Sequence, residues 1–147
     1  MSQKVNARST INTARFNFNL ILYSIFDRTT SALVIKGLED VISVDYVAAI
    51  QSDPKIGFNF SPDFPDTLNK KKYLRDVYLL SHPEYAGKYT VPVLFDKQTS
   101  KIVSNSSADI LRMLNSEFNE FATKPELDLY PEELKTEIDS LNKWIAE

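Results

Sequence analysis

A proline stands inside the most strand-like run of this chain, and its position restricts the folds open to it. Tyr89-Thr90-Val91-Pro92-Val93-Leu94-Phe95-Asp96 is rich in β-branched and aromatic residues, the composition of a buried strand. Proline donates no hydrogen bond to a ladder, so Pro92 belongs at the beginning of its strand or on a sheet edge. After Asp96, Lys97-Gln98-Thr99-Ser100 makes a turn into Lys101-Ile102-Val103. Two short strands with so few residues between them form an antiparallel hairpin.

Upstream, residues 16–23 alternate apolar and polar side chains before becoming fully apolar, and read as a strand. Residues 29–36 place Ala32, Leu33 and Ile35 on a helix-like stripe, and Gly37 stands where a helix C-terminal glycine belongs. Residues 41–47 form a second β-branched, alternating run. Strand, helix, strand implies a parallel pair joined by a right-handed crossover. Pro54, Pro62, Pro65 and Gly57 make residues 51–67 a loop. Residues 68–80 are predicted to be a helix with Leu74, Val77 and Leu80 on its buried face and Lys70, Lys71, Lys72 and Arg75 largely outside. Residues 104–107 offer several N-cap candidates for a last helix with Ile110, Leu111, Met113 and Leu114 on its apolar face. The order βαβ-α-ββα belongs to the α/β class and matches the thioredoxin fold, in which a proline opening the third strand is typically cis. Periodicity alone also admits other small α/β folds.

Residues 117–130 turn acidic and irregular, with Pro125 among them, and read as a linker. Pro131 then suits a first helical position, and Glu132 and Glu133 suit the positive start of a helix. Leu134, Ile138, Leu141 and Ile145 recur at helical spacing with Trp144 beside them. We expect this to be the first helix of a helical domain whose remainder is not in the chain. The alternative is that the helix packs back on the sheet. The expected organisation is an unmatched segment over 1–15, a thioredoxin-like domain over 16–118, and a linker with the start of a helical domain over 119–147.

The chain has 147 residues, of which 43% are hydrophobic and 25% charged, enough for a core in one domain or one domain and part of another. The net charge of −3 and the lack of a Lys/Arg-rich face give no footprint for nucleic acid. No apolar run reaches the length of a membrane span, so no membrane partner is expected. There is no cysteine, which excludes a disulfide, a thiolate nucleophile and a thiolate metal site. The single histidine, His82, lies in Ser-His-Pro and reads as a solvated turn residue, so no metal site is expected. Lys4, Arg8 and Arg15 precede the first acidic residue, Asp27. That start fits a mitochondrial presequence as well as a frayed terminus, and the expected compartment is the cytoplasm.

Four stretches carry a family resemblance: KGLEDVISV (36–44), YLRDVYLLSHPEYAGKYTVPVLFD (73–96), IVSNSSADILRMLNSEF (102–118) and DLYPEELKTEIDSLNKWI (128–145). Together they resemble the glutathionyl-hydroquinone reductases, a branch of the omega-like glutathione transferases. The resemblance covers residues 20–147, and TVPVL combined with ILRMLNS is its most specific part. It implies an N-terminal thioredoxin-like domain followed by an all-α domain, with glutathione as the substrate. It also implies a catalytic cysteine after the first strand, in a pattern like ACPWAHRT, that forms a mixed disulfide with glutathione. Counted back from Lys36 without gaps, that cysteine position falls on Tyr23, the proline on Ser24, the aromatic on Ile25 and the histidine on Asp27. Only Arg28 and Thr29 keep the pattern.

The resemblance further implies a glutathione subsite. Val91 and Pro92 match the Val-Pro whose backbone pairs with the cysteinyl part of the tripeptide. The family's Glu-Ser, which holds the γ-glutamyl end, falls on Ser106 and Ser107, so the serine is kept and the glutamate is lost. Phe58 falls where the family usually has a tryptophan. Lys88 replaces an arginine, keeping the charge but not the planar fork. Each residue also has a structural explanation: Ser107 as a helix cap, Val91-Pro92 as a fold determinant, Phe58 as cover for a core edge.

These readings imply a degenerate omega-like glutathione transferase with at most weak glutathione binding or residual transferase activity. Ser24 and Tyr23 supply the hydroxyls near the cysteine position. Cysteine-dependent reduction is not expected, because the mixed disulfide needs a sulfur on the protein. The alternatives are a non-catalytic module that forms homo-oligomers or binds a partner through the 134–145 face, and a relic or misannotated gene fragment.

Overall fold

Alternation along short apolar strands sends successive side chains to opposite faces, so each strand serves two layers. The computed structural model describes residues 17–23, 27–48 and 56–146. The basic start, Ser24 and Ile25 lie outside the described residues. The strands are β1 (Phe18–Leu22), β2 (Ile42–Tyr46), β3 (Val93–Asp96) and β4 (Lys101–Ser104), in the sheet order β2-β1-β3-β4. β1 and β2 run parallel, with Phe18 opposite Ile42 and Leu22 opposite Tyr46. β3 is antiparallel to β1, with Ile21 opposite Val93, and β4 completes the antiparallel hairpin.

Three helices cover this sheet: α1 (Arg28–Lys36), α2 (Leu74–Ser81) and α3 (Ser107–Ser116). Leu20, Leu22 and Leu94 pack with Ala32 and Leu33 of α1 and with Ile110 and Leu114 of α3. The intervening residues Ile21, Val93 and Phe95 pack with Leu74, Val77 and Tyr78 of α2. Fully burying one such aliphatic side chain is worth about 1.5–3 kcal/mol, so this alternation fixes the register. The result is the expected thioredoxin-like α/β arrangement.

Local chemistry sets the ends of α1. The Asp27 carboxylate accepts the Thr29 N–H at 2.7 Å, an N-cap bond. Gly37 closes the helix at φ +65°, its N–H reaching the carbonyls of Leu33 and Val34. The sequence stripe placed Ile35 inward, but Ile35 is exposed and Lys36 is buried. The reason is the Lys36 amine, which donates to the Leu127 carbonyl at 2.7 Å. The Asn115 side chain holds the same irregular segment, donating to Asp128 at 2.7 Å and accepting the Leu129 N–H at 2.7 Å.

The helix expected over 68–80 begins only at Leu74. Asp66 diverts the preceding residues, accepting the N–H groups of Leu68, Asn69 and Lys71. Lys70 takes a left-handed conformation at φ 56°, and Tyr73 bridges to Asn59. The buried face also differs: Leu80 is exposed, and Tyr78 and Ser81 are buried with Leu74 and Val77. The three main sequence strands each shorten by one or more residues, most at 89–96, where only Val93–Asp96 joins the ladder.

Pro131 caps a short 3-10 turn (Glu132–Leu134) instead of opening the helix, and α4 (Lys135–Ala146) follows. Arg112 of α3 reaches Asp139 of α4 at 2.8 Å. Ile138 of α4 is half-buried, but Leu141, Trp144 and Ile145 stay in solvent at 51%, 73% and 69% exposed. The alternative in which this stripe packs on the sheet is not what the structure has. Among the described residues no helix is long and apolar enough to cross a membrane.

Candidate functional site

β1 leaves the sheet at the end where β3 enters it, because the two are antiparallel and pair through Ile21 and Val93. β4 leaves at the same end, Ser104 standing opposite Leu94. Three segments therefore converge there: Tyr23 after β1, Val91–Pro92 before β3, and Ser106–Ser107 after β4. Tyr23, Val91, Pro92, Ser106 and Ser107 are thus brought together by topology, from sequence positions up to 84 residues apart.

The Val91–Pro92 peptide is cis, the geometry expected at the start of this strand. Pro92 is buried and Val91 half-buried, and Val91 precedes the first registered pair of β3. Ser106 is the N-cap of α3, its hydroxyl accepting the Asp109 N–H at 3.4 Å, and its own N–H donates to the Ser104 hydroxyl at 3.1 Å. Ser107 is the first residue of the helix and is half-buried. The amide-rich, electropositive start of α3 thus lies at the converging end, a setting suited to a carboxylate.

Tyr23 is half exposed, and its ring lies 5.8 Å from that of Phe58 at 54°. The positions that the resemblance assigns to the cysteine and the tryptophan are therefore in contact. Backbone pairing docks Phe58: its carbonyl accepts the Leu74 N–H at 2.9 Å, at the start of α2. Gly57 has φ +83°, and a Cβ there would lie 3.4 Å from Tyr89, which ties this loop to the approach into β3. Lys88 is exposed, and its carbonyl accepts the Tyr85 hydroxyl at 3.0 Å.

One residue at this end escaped the sequence reading. Tyr78 of α2, 2% exposed, donates its hydroxyl to the Thr90 carbonyl at 2.7 Å. The same oxygen accepts the Asn105 side-chain N–H at 3.1 Å. Its ring packs against Tyr85 and Tyr89, with centroids 4.8 and 5.6 Å away. Burial pushes the phenol pKa above its ordinary value, opposed by the bonds to Asn105 and Thr90. The available signal was spacing: Tyr78 lies one turn after Leu74 on the same helix face.

Other polar groups nearby are structural. Asp45, buried in β2, accepts the Thr67 hydroxyl at 2.7 Å, the Thr67 N–H at 3.1 Å and the Asn19 amide at 3.2 Å. It fastens the loop after Asp66 to the sheet. His82 is an exposed C-cap of α2. Among the described residues no three His, Asp or Glu side chains gather as a metal ion would need. The converging end thus offers hydroxyls, a helix start, an extended backbone segment and an aromatic pair, without a sulfur.

Residues 26–117 match the family model of the glutathione S-transferase N-terminal domain. The chain is 43% identical over 122 residues, 80% of its length, to glutathionyl-hydroquinone reductase YqjG of Escherichia coli (strain K12), and covers 36% of that relative. It is similar to the glutathione-bound structure of YqjG, with a TM-score of 0.78 and 39% identity, over 88% of this chain and 43% of that one. It is similar also to the Xi glutathione transferase of Phanerochaete chrysosporium, with a TM-score of 0.80 and 37% identity, over 89% of this chain and 47% of that one. The chain spans just over a third of the length of three of the curated relatives it matches and about a fifth of two others.

Proposed function

The chain belongs to the glutathione transferase family through its thioredoxin-like domain, and on that footing we propose that it is a degenerate member. It binds glutathione weakly at the converging end of the sheet and has no cysteine-dependent reductase activity. The observation that carries the reading is the meeting of Val91–Pro92, Ser106–Ser107 and Tyr23 at one end of the sheet, in a chain without cysteine. Val91 offers its backbone to the cysteinyl part, and the start of α3 with Ser107 takes the γ-glutamyl carboxylate. With Ser106 in place of the family's glutamate, the ligand ammonium has no carboxylate partner there, which accounts for weak binding. Phe58 and Tyr23 form an apolar wall beside the thiol, and Lys88 supplies charge at the rim. Residual transferase activity would rest on Tyr23 or Ser24.

Residues 16–118 form the glutathione-binding domain in this proposal, and 119–147 a linker with the first helix of a helical domain. The proposed compartment is the cytoplasm. The test is an assay with a glutathionyl-quinone conjugate and excess glutathione. The proposal expects no release above the uncatalysed rate, and catalysed release would overturn it.

One observation favours a second reading, self-association: the exposed apolar residues Leu141, Trp144 and Ile145 of α4 and Leu134 of the turn before it. Contiguous exposed apolar surface of this kind serves as an interface. Size-exclusion chromatography over a range of concentrations decides it, a stable oligomer favouring this reading and a monomer throughout removing it.

A further inference from the structure

On the glutathione reading above, we infer that Tyr78 is a positioning residue that sets the spacing between the two halves of the binding end through its hydroxyl. That one O–H group extends from α2 to both segments, donating to the Thr90 carbonyl at 2.7 Å and accepting from the Asn105 amide at 3.1 Å. Thr90 immediately precedes Val91, and Asn105 immediately precedes Ser106. The extended segment for the cysteinyl part and the helix start for the γ-glutamyl part are therefore referenced to a single atom.

The hydroxyl suits this task because its ring cannot wander. Tyr78 is 2% exposed, within a cluster made with Tyr85 and Tyr89. Its two partners, Thr90 and Asn105, are both exposed. The bridge thus transmits the order of the core to two surface segments that share no strand pairing with each other: β3 begins at Val93 and β4 ends at Ser104. A ligand that touches both segments loses affinity when their spacing relaxes, because it must then restore the spacing on binding. Removing the hydroxyl keeps the ring in the core, and because Thr90 is an exposed residue water can replace the hydroxyl at its carbonyl, so the fold survives the change.

The test is a double-mutant cycle on glutathione affinity with Tyr78→Phe, Asn105→Ala and the pair, read by calorimetry. Each single change is expected to weaken binding roughly three- to tenfold, the range set by one hydrogen bond. The double variant should bind no more weakly than the worse single one, because both remove the same bridge. Unchanged affinity in Tyr78→Phe, or fully additive losses, would overturn the inference. If the wild-type chain binds no glutathione, the glutathione reading falls, and backbone amide shifts of the unliganded protein decide the bridge. Asn105→Ala must then shift the amides of residues 90 and 91 as well as those of 104–108. Shifts confined to 104–108 would overturn it. A merely structural role for Asn105, exposed and far in sequence from Thr90, would not move residues 90 and 91.

Discussion

Tyr78 carries an ionisable hydroxyl into an aromatic cluster, and that burial has a consequence for stability against pH. Burial is the largest influence on its pKa and raises it above the ordinary value, the bonds to Asn105 and Thr90 opposing. The folded chain therefore keeps this proton over a range where the unfolded chain has lost it. The stability it contributes is complete below about pH 10, the usual tyrosine value, and is lost as pH rises through the folded pKa. Lys97 works in the other sense. Burial lowers its pKa, with Asp45 opposing, so stability rises with pH below the ordinary lysine value. Wild type and Tyr78→Phe share the lysine effect, and their difference isolates the phenol. In urea unfolding, wild type should lose stability more steeply than Tyr78→Phe above about pH 10. Parallel curves would contradict the buried, protonated phenol.

Among the elements, α1 shows most clearly how one residue fixes both a helix end and its neighbour. Gly37 sits at φ +65°, and a Cβ there would lie 1.7 Å from the Thr123 hydroxyl oxygen. Gly37→Ala is therefore strained twice, by the left-handed backbone at about 1–2 kcal/mol and by the collision with the linker. Chemical unfolding should show a loss of at least about 2 kcal/mol. Adding Thr123→Gly relieves the collision but leaves the backbone cost, so recovery should be partial. A neutral Gly37→Ala would contradict this account of the cap.

Gly37 was legible in sequence because a glycine after an apolar stripe has few other uses. The strands and α3 were legible too, since alternation in β1 and β3 and the Ile110–Leu114 spacing reflect the two core layers directly. The start of α2 was not. Residues 68–73 have helical composition, yet the Asp66 carboxylate draws three of their N–H groups into a turn. Helix propensity does not register a local side-chain competitor of that kind for the backbone N–H groups. Of the candidate site, local pattern showed a proline opening a strand at Val91–Pro92 and a helix start near Ser106–Ser107, while their assignment to a glutathione subsite came from the family resemblance. Tyr78 was not legible, because its role depends on two backbone segments that only the folded sheet brings within reach.

At the scale of the whole molecule, the mixed sheet matters because it gathers distant segments at one end. Parallel β1 and β2 with antiparallel β3 and β4 bring Tyr23, Val91–Pro92 and Ser106–Ser107 together, while α4 meets α3 through Arg112 and Asp139 and leaves Leu141, Trp144 and Ile145 in solvent. The family's N-terminal domain is present, and the chain contains no cysteine. The central claim is that this end still recognises glutathione. Calorimetric titration of the wild-type chain with reduced glutathione tests it most directly. The account predicts saturable 1:1 binding with a Kd around the millimolar range, about −4 kcal/mol, weakened by Ser107→Ala. No saturable heat at tens-of-millimolar glutathione, roughly ten times that Kd, would contradict it.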